Sequence, residues 1–150
     1  NAWLLSQGME TLSMRMREHL SNAQKIAEWL STHPQVAQVM YNGLPNSEWH
    51  QNQQKYAQKG GGAVMSFEIK GGKSAGMKFV EGLQMFRHVA NIGDVRSLVI
   101  HPASTTHSQL GEEGMRDAGI NPGMIRLSIG IEDFEDIKSD LEKGFKAASA

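Results

Sequence analysis

A stripe of apolar side chains at helical spacing runs through the first fifth of the chain. Its members lie three or four positions apart throughout: Leu5, Met9, Leu12, Met16, Leu20, Ala23, Ala27 and Leu30. This spacing predicts one continuous amphipathic helix, which ends at His33 because Pro34 disfavours helical geometry in the residue before it. Such a helix has about 30 residues and a length of roughly 45 Å. Because a helix of that length commonly connects two bodies, we expect Leu5 to Leu12 to contact a second domain and to be partly exposed here.

The segments that follow the helix alternate between strand and helix patterns. Strands are predicted over Val36–Tyr41, Gly61–Ile69, 85–90, 97–101 and Met124–Ile131. A helix of about three turns is predicted after residues 70–74, and a final helix begins near Asp133. The polar, glutamine-rich stretch 42–59 is assigned to neither class. We therefore expect one α+β domain: an antiparallel or mixed sheet of four to five strands with helices packed on it, preceded by the long helix.

Composition excludes several classes of function. The chain has 150 residues, the size of one domain, and its 15 basic and 16 acidic residues are not gathered into runs. This charge pattern argues against binding to nucleic acid or to an anionic membrane. The chain has no cysteine, which excludes disulfides and thiolate metal sites and fits a cytoplasmic location. Because the first residue is Asn1 and leads almost directly into a helix, we expect the chain to be part of a longer protein.

The segment from Asn91 to Leu110 combines two histidines with five hydroxyl side chains. His101 and His107 are six residues apart, which fits no common metal-ligand spacing, and Ser104 lacks the glycine context of a nucleophile elbow. We therefore expect no metal site and no nucleophile, but a loop that Pro102 and hydroxyl-to-backbone hydrogen bonds make rigid. The sequence "GGKSAG" lacks the first glycine of a phosphate-binding loop, and a tight turn between strand and helix is predicted there.

Arg126 interrupts the apolar strand "MIRLSIGI" on the side that also carries Met124, Ser128 and Gly130. A guanidinium in such a strand is costly unless it meets an anion, since its charge cannot be lost. The residues leave two interpretations open. One is a salt bridge to an internal Asp or Glu, and the other is a fork that binds a ligand carboxylate through two parallel hydrogen bonds. In the second interpretation, Ser128 adds a hydroxyl and Gly130 leaves room for close approach.

Three stretches together resemble a known family. They are "LLSQGMETLSMRM", "NIGDVRSLVIHPASTTHSQL" and "GMIRLSIGIEDFEDIKSDL", and in order and spacing they are similar to the C-terminal part of the Cys/Met-metabolism (trans-sulfuration) enzymes. These are pyridoxal-phosphate enzymes of fold type I, and the resemblance covers essentially the whole chain. It implies that residues 1–150 form the small substrate-binding domain, whereas the cofactor lysine and the other cofactor contacts lie in a large domain absent from this sequence. No lysine here stands in the family's Ser-x-Thr-Lys setting, so the chain alone is expected to be inactive and to bind no pyridoxal phosphate.

The resemblance also implies roles for individual residues. Arg126 matches the family arginine that binds the α-carboxylate of the amino-acid substrate. Asn91 stands where many relatives carry a serine near that carboxylate, and this departure favours the sulfhydrylase branch. Residues 101–107 are expected beside this substrate wall, with supporting side chains at Ser104, Thr105, Thr106 and Ser128. No catalytic, cofactor-binding or metal-binding residue is expected within the chain itself.

The reaction implied for the full-length protein is a transferase step of methionine biosynthesis, a γ-replacement. Pyridoxal phosphate serves as an electron sink while acetate leaves O-acetyl-L-homoserine and sulfide or methanethiol replaces it, giving homocysteine or methionine. Relatives are homotetramers, so the large domain and further subunits are the expected partners. Two alternatives stay open: a methionine γ-lyase or cystathionine γ-lyase or γ-synthase with the same domain, and a regulatory module that binds an amino acid without catalysis.

Overall fold

The computed structural model describes residues 1–150, except for the side chain of Glu112. In chain order the described elements are α1 (Ala2–Glu10), α2 (Leu12–Thr32), β1 (Val36–Met40), α3 (His50–Tyr56), β2 (Val64–Ile69), α4 (Gly72–Gly82), β3 (Arg87–His88), β4 (Leu98–Ile100), a 3-10 turn (Pro102–Ser104), α5 (Glu112–Asp117), β5 (Met124–Ser128) and α6 (Phe134–Ala148). The predicted α+β class is confirmed. None of the helices in the described chain is both long enough and apolar enough to cross a membrane.

The strands form one five-stranded mixed sheet in the order β1-β2-β5-β4-β3. All neighbouring pairs are antiparallel except β3 with β4, which run parallel. The last strand along the chain, β5, therefore lies in the middle of the sheet. Arg126 sits within this strand, opposite Ser66 of β2 on one side and Ile100 of β4 on the other.

The two faces of the sheet differ in burial because side chains alternate along each strand. One face carries fully or nearly buried side chains that pack under α2, α4 and α6, namely Met65, Phe67, Ile69, Val99, Ile125 and Leu127. The opposite face, which we name the open face, carries Val64, Ser66, Glu68, Met124, Arg126 and Ser128, together with Leu98 and Ile100 on β4. Ser128, Leu98 and Ile100 are buried, and the other open-face residues are half-buried or exposed. The described chain therefore leaves the open face uncovered over β2 and the first part of β5, and covers it over β4.

The predicted continuous N-terminal helix is wrong in one respect, because it breaks at Thr11. Thr11 has φ −98° and ψ 2°, and it separates α1 from α2. Arg15 contributes to the break: its side chain donates to the Thr11 hydroxyl and to the Gly8 carbonyl, which would accept from the N–H of Leu12 in an unbroken helix. Threonine is β-branched and therefore has a lower helix propensity than unbranched residues, which also favours a break here.

The expected exposure of the first apolar residues is confirmed. Leu5 is 69% exposed, Met9 63% and Leu12 44%, and α1 contains no buried residue. The same stripe becomes buried further along α2, at Ala23, Ala27 and Leu30. Contact of the exposed part with a second domain stays a prediction.

Further differences separate the predicted elements from the structure. Strand β5 ends at Ser128 instead of Ile131, and helix α5 was not predicted. Helix α3 lies in the polar stretch 42–59, where its one buried residue is Gln53, so it has no apolar stripe that could have revealed it. The strand expected at 85–90 is reduced to two residues. Strand β2 begins at Val64 instead of Gly61, since Gly60 and Gly62 have φ values of +143° and +84°, which are incompatible with a strand.

Candidate functional site

Arg126 lies half-buried on the open face of β5. Its Nη2 donates a hydrogen bond to the backbone carbonyl of Asn91 at 3.1 Å. Among the described side chains, no carboxylate oxygen lies within 4 Å of the guanidinium. The salt bridge to an internal Asp or Glu, one of the two interpretations of this residue, is therefore wrong for the part of the chain that the structure describes. A guanidinium has five N–H donors, so most of this fork is left for another acceptor.

Residues 91–93 form a loop segment that lies against Arg126. Asn91 directs its side-chain Oδ1 to the N–H of Ile92 at 2.9 Å and presents its backbone carbonyl to the arginine. Gly93 has φ +78°, a left-handed conformation that favours glycine, and its N–H donates to Ser128 Oγ at 3.2 Å. The structure thus brings together three of the predicted site residues, Arg126, Asn91 and Ser128. In this structure Asn91 contacts Arg126 through its backbone and not through its amide.

The hydroxyl residues after β4 form hydrogen bonds within their own loop. Ser104 Oγ lies 2.7 Å from Nδ1 of His101, and Thr105 Oγ1 donates to the His101 carbonyl at 2.8 Å. Thr106 is exposed, and its Oγ1 lies 2.8 Å from Nδ1 of His107. The loop follows Ile100, which pairs with Arg126, but its described side-chain hydrogen bonds do not reach Arg126, Asn91 or Ser128, and its place beside the substrate stays a prediction. Ser104 and Thr105 act there by making the loop rigid.

The structural role of His101 was not predicted from the sequence. It is fully buried, and its Nε2 donates to the carbonyl of Pro122 at 2.7 Å, so its Nδ1 accepts from the Ser104 hydroxyl. Gly76 makes room for the ring, because a Cβ at this position would lie 2.6 Å from Nε2. His101 thereby links the loop after β4 to the start of β5, which carries Arg126. A histidine directly after an apolar strand was the available signal.

The stability of the chain is expected to depend on pH through His101. Burial lowers the pKa of His101 below its usual value of 6.5. As the pH falls through 6.5, the unfolded chain takes up a proton that the folded chain refuses, so the free energy of unfolding decreases toward acid pH. Urea unfolding at pH values from 8 to 5 measures this slope. His101→Asn should flatten it, and equal slopes in the two proteins would contradict the assignment.

A buried polar cluster beyond β5 was not predicted. Ser97 Oγ accepts from the N–H of Gly130 at 2.9 Å and donates to Glu132 Oε2 at 2.9 Å, and the Ser97 N–H donates to Glu132 Oε1 at 2.7 Å. The side chain of Asn22 on α2 donates to the Glu132 carbonyl at 2.8 Å. A Cβ on Gly130 would overlap both Glu132 and the carbonyl of Val95. The space at Gly130 is therefore filled by the chain's own loop, which corrects the expectation that it admits a ligand.

Comparisons with known proteins show to which family the chain is similar in sequence. The family model for the Cys/Met metabolism PLP-dependent enzymes matches residues 1–146. The O-acetyl-L-homoserine sulfhydrylase of Corynebacterium glutamicum is 49% identical over 98% of this chain and 34% of its own length. The O-acetyl-L-homoserine sulfhydrylase 1 of Thermus thermophilus is 49% identical over 95% of this chain and 34% of its own length. The chain thus spans about a third of the length of these curated relatives.

Solved structures show the same similarity. An O-acetylhomoserine (thiol)-lyase of Campylobacter jejuni has a TM-score of 0.89 and 43% identity, over 97% of this chain and 35% of that one. A cystathionine gamma synthase of Xanthomonas oryzae pv. oryzae has a TM-score of 0.84 and 44% identity, over 95% of this chain and 37% of that one. With a matching fold, an arginine on the open face and a family model that covers almost every residue, the chain belongs to the Cys/Met metabolism PLP-dependent enzymes.

Proposed function

We propose that the chain is the C-terminal, substrate-binding domain of an O-acetylhomoserine sulfhydrylase. The observation that carries the proposal is the guanidinium of Arg126, which lies on the open face with one hydrogen bond to the Asn91 carbonyl and no carboxylate partner among the described side chains. The names of two relatives support the substrate class that we propose for this chain, since both are O-acetyl-L-homoserine sulfhydrylases at 49% identity. An amino-acid substrate of this class supplies the α-carboxylate that such an arginine binds.

The role of Arg126 in this proposal is to bind and orient the substrate. A planar guanidinium can hold both oxygens of a carboxylate, which fixes the direction of the amino acid as well as its position. The bond to the Asn91 carbonyl restricts rotation of the side chain before substrate arrives. Because Arg126 is half-buried, water screens its charge less than that of a surface arginine. The arrangement favours binding and orientation of the substrate, with no proton transfer required of this residue.

The cofactor of the family, pyridoxal phosphate, does not fit the side chains that this chain itself provides. Its attachment needs a lysine beside the substrate, and none of the five described strands contains a lysine. The one half-buried lysine, Lys138, lies on α6, which packs on the face of the sheet opposite Arg126. We infer that the lysine and the phosphate contacts come from a large domain outside this sequence. When bound there, the cofactor withdraws electrons from the amino acid so that the γ-substituent can leave.

The exposed apolar part of α1 and α2 is the surface that we assign to this large domain. Leu5, Met9 and Leu12 lie on it, and large apolar side chains that remain exposed at neighbouring positions often mark a contact surface. We propose, in line with the relatives' greater length, that the preceding part of the polypeptide packs against these residues. Assembly into a homotetramer and a cytoplasmic location belong to the same proposal.

The test of this function is an assay of the full-length protein that carries this chain. With O-acetyl-L-homoserine and sulfide, we expect homocysteine and acetate in equal amounts. A cystathionine γ-synthase would instead use added cysteine to make cystathionine and acetate from O-acetyl-L-homoserine. A γ-lyase would release ammonia from methionine or cystathionine without an added thiol. The 150-residue chain alone should give no product and should form no stoichiometric, borohydride-reducible aldimine with added pyridoxal phosphate at any one lysine. Amino-acid binding by the chain alone, together with an inactive full-length protein, would favour the regulatory module and contradict the proposal.

A further inference from the structure

Ser128 lies two residues after Arg126 on the same face of β5, and only 2% of it is exposed. Its Oγ accepts the N–H of Gly93, while Arg126 donates to the carbonyl of Asn91. Residues two apart in a strand are neighbours on one face, and the two loop residues that they hold are also two apart. The loop segment 91–93 is thus attached to β5 by two successive hydrogen bonds, one of which includes the arginine.

Apolar burial contributes little to holding this loop segment in place. Ile92 at its centre is 56% exposed, and Val89 and Val95 on either side of it are exposed as well. Backbone hydrogen bonds hold the two ends of the loop: the Val89 N–H donates to the Val99 carbonyl at 3.2 Å, and the Ile131 N–H donates to the Val95 carbonyl at 2.9 Å. Between these ends, the bond from Gly93 to Ser128 joins the segment to β5 beside Arg126, so it helps to fix the position of the Asn91 carbonyl. That carbonyl is in turn the group that orients the guanidinium of Arg126.

We propose that Ser128 is a positioning residue for substrate binding: by holding Gly93, it keeps the Asn91 carbonyl in place and so directs the free side of the Arg126 fork toward the substrate carboxylate. The inference rests on the proposed function of Arg126. Ser128 itself touches the loop and not the substrate. Its hydroxyl is required as a hydrogen-bond acceptor, which separates this role from simple packing.

The experiment uses the full-length protein and steady-state kinetics with O-acetyl-L-homoserine. Ser128→Ala should raise KM about three- to tenfold, the effect of one lost neutral hydrogen bond, while kcat changes less than twofold, as expected for binding made equally in ground and transition states. Ser128→Thr keeps the acceptor and should restore most of the affinity. Ser128→Cys keeps the volume with a much weaker acceptor, so it should resemble Ser128→Ala even if the alanine protein folds poorly.

A double-mutant cycle separates positioning from a general loss of stability. If Ser128 acts through Arg126, adding Ser128→Ala or Ser128→Cys to Arg126→Lys should leave KM within twofold of the Arg126→Lys protein. Ile137→Val on α6, a core change that lowers stability without touching the loop, should leave KM unchanged. Fully multiplicative effects of the two substitutions, or a KM rise with Ile137→Val equal to that with Ser128→Ala, would overturn the inference alone. An unchanged KM in Arg126→Lys itself would overturn the proposed function and the inference with it.

Discussion

Arg126→Ala in the full-length protein should lower kcat/KM for O-acetyl-L-homoserine by roughly 10- to 150-fold. A hydrogen-bonded contact with a charged group contributes about 1.5–3 kcal/mol, and this substitution removes the bidentate contact that we propose with the substrate carboxylate. Arg126→Lys keeps the charge without the planar fork and should give an intermediate loss. The visible absorbance of the bound cofactor should be the same in all variants, since Arg126 is not expected to contact it.

Thermal melts alongside the kinetics distinguish binding from folding. Arg126 contacts the protein through one hydrogen bond to a backbone carbonyl, so its removal should lower the melting temperature only slightly. Arg116→Ala, at an exposed position on α5, is the matched control and should leave kcat/KM within twofold. A protein with Arg126→Ala that melts several degrees lower but keeps near-normal kcat/KM would show that the arginine is structural.

Asp140→Ala should destabilise the chain by about 3 kcal/mol or more, since each of three backbone donors left without a partner costs about 1–3 kcal/mol, against a total of roughly 5–15 kcal/mol for a domain. Asp140 on α6 is 1% exposed, and its carboxylate accepts from three consecutive backbone N–H groups: Gln84 at 3.0 Å, Met85 at 2.8 Å and Phe86 at 3.1 Å. Alanine would leave these donors without an acceptor in the segment that joins α4 to β3.

Urea unfolding of the 150-residue chain, followed by circular dichroism, measures this loss. Asp140→Asn keeps one acceptor oxygen and should cost less than Asp140→Ala. Asp136→Ala lies one turn earlier on the same helix at an exposed position, where the helix dipole contributes less than about 1 kcal/mol. If Asp140→Ala and Asp136→Ala shift the urea midpoint equally, the carboxylate does not have the structural role assigned to it.

Local sequence patterns predicted the elements that have a clear local signal, such as a capping residue or an alternation of apolar and polar side chains. Helix α6 begins where expected because Asp133 caps it, with its Oδ1 accepting from the N–H of Glu135 at 2.9 Å. Strands β2 and β5 were predicted from alternation, since one face of each packs against helices. Helix α3 was not predicted because it is polar. The break at Thr11 was not predicted because the contacts of Arg15 that contribute to it are not encoded in an apolar pattern.

Part of the candidate site could be predicted because one of its residues has an unusual place in the local pattern. Arg126 stood out because a permanent charge in an apolar strand is unusual, and the family resemblance supplied Asn91. The contact between these two residues could not be predicted, since it uses the backbone carbonyl of Asn91 and joins positions 35 residues apart. The Ser97–Glu132 pair and the burial of His101 also depend on long-range packing. A single sequence indicates which side chains have unusual chemistry but not which distant backbone groups they meet.

The position of β5 in the sheet has a consequence for biosynthesis. Strands β2 and β4 are both synthesised before β5, yet neither has its second neighbour until β5 inserts between them. A nascent chain that ends before Met124 therefore exposes two unpaired strand edges, which are templates for association with other chains. Because the strand that closes this gap also carries Arg126, the residue that we propose to bind the substrate is synthesised only together with the segment that completes the sheet. Premature termination upstream of residue 124 should accordingly yield aggregates, and no partly active product.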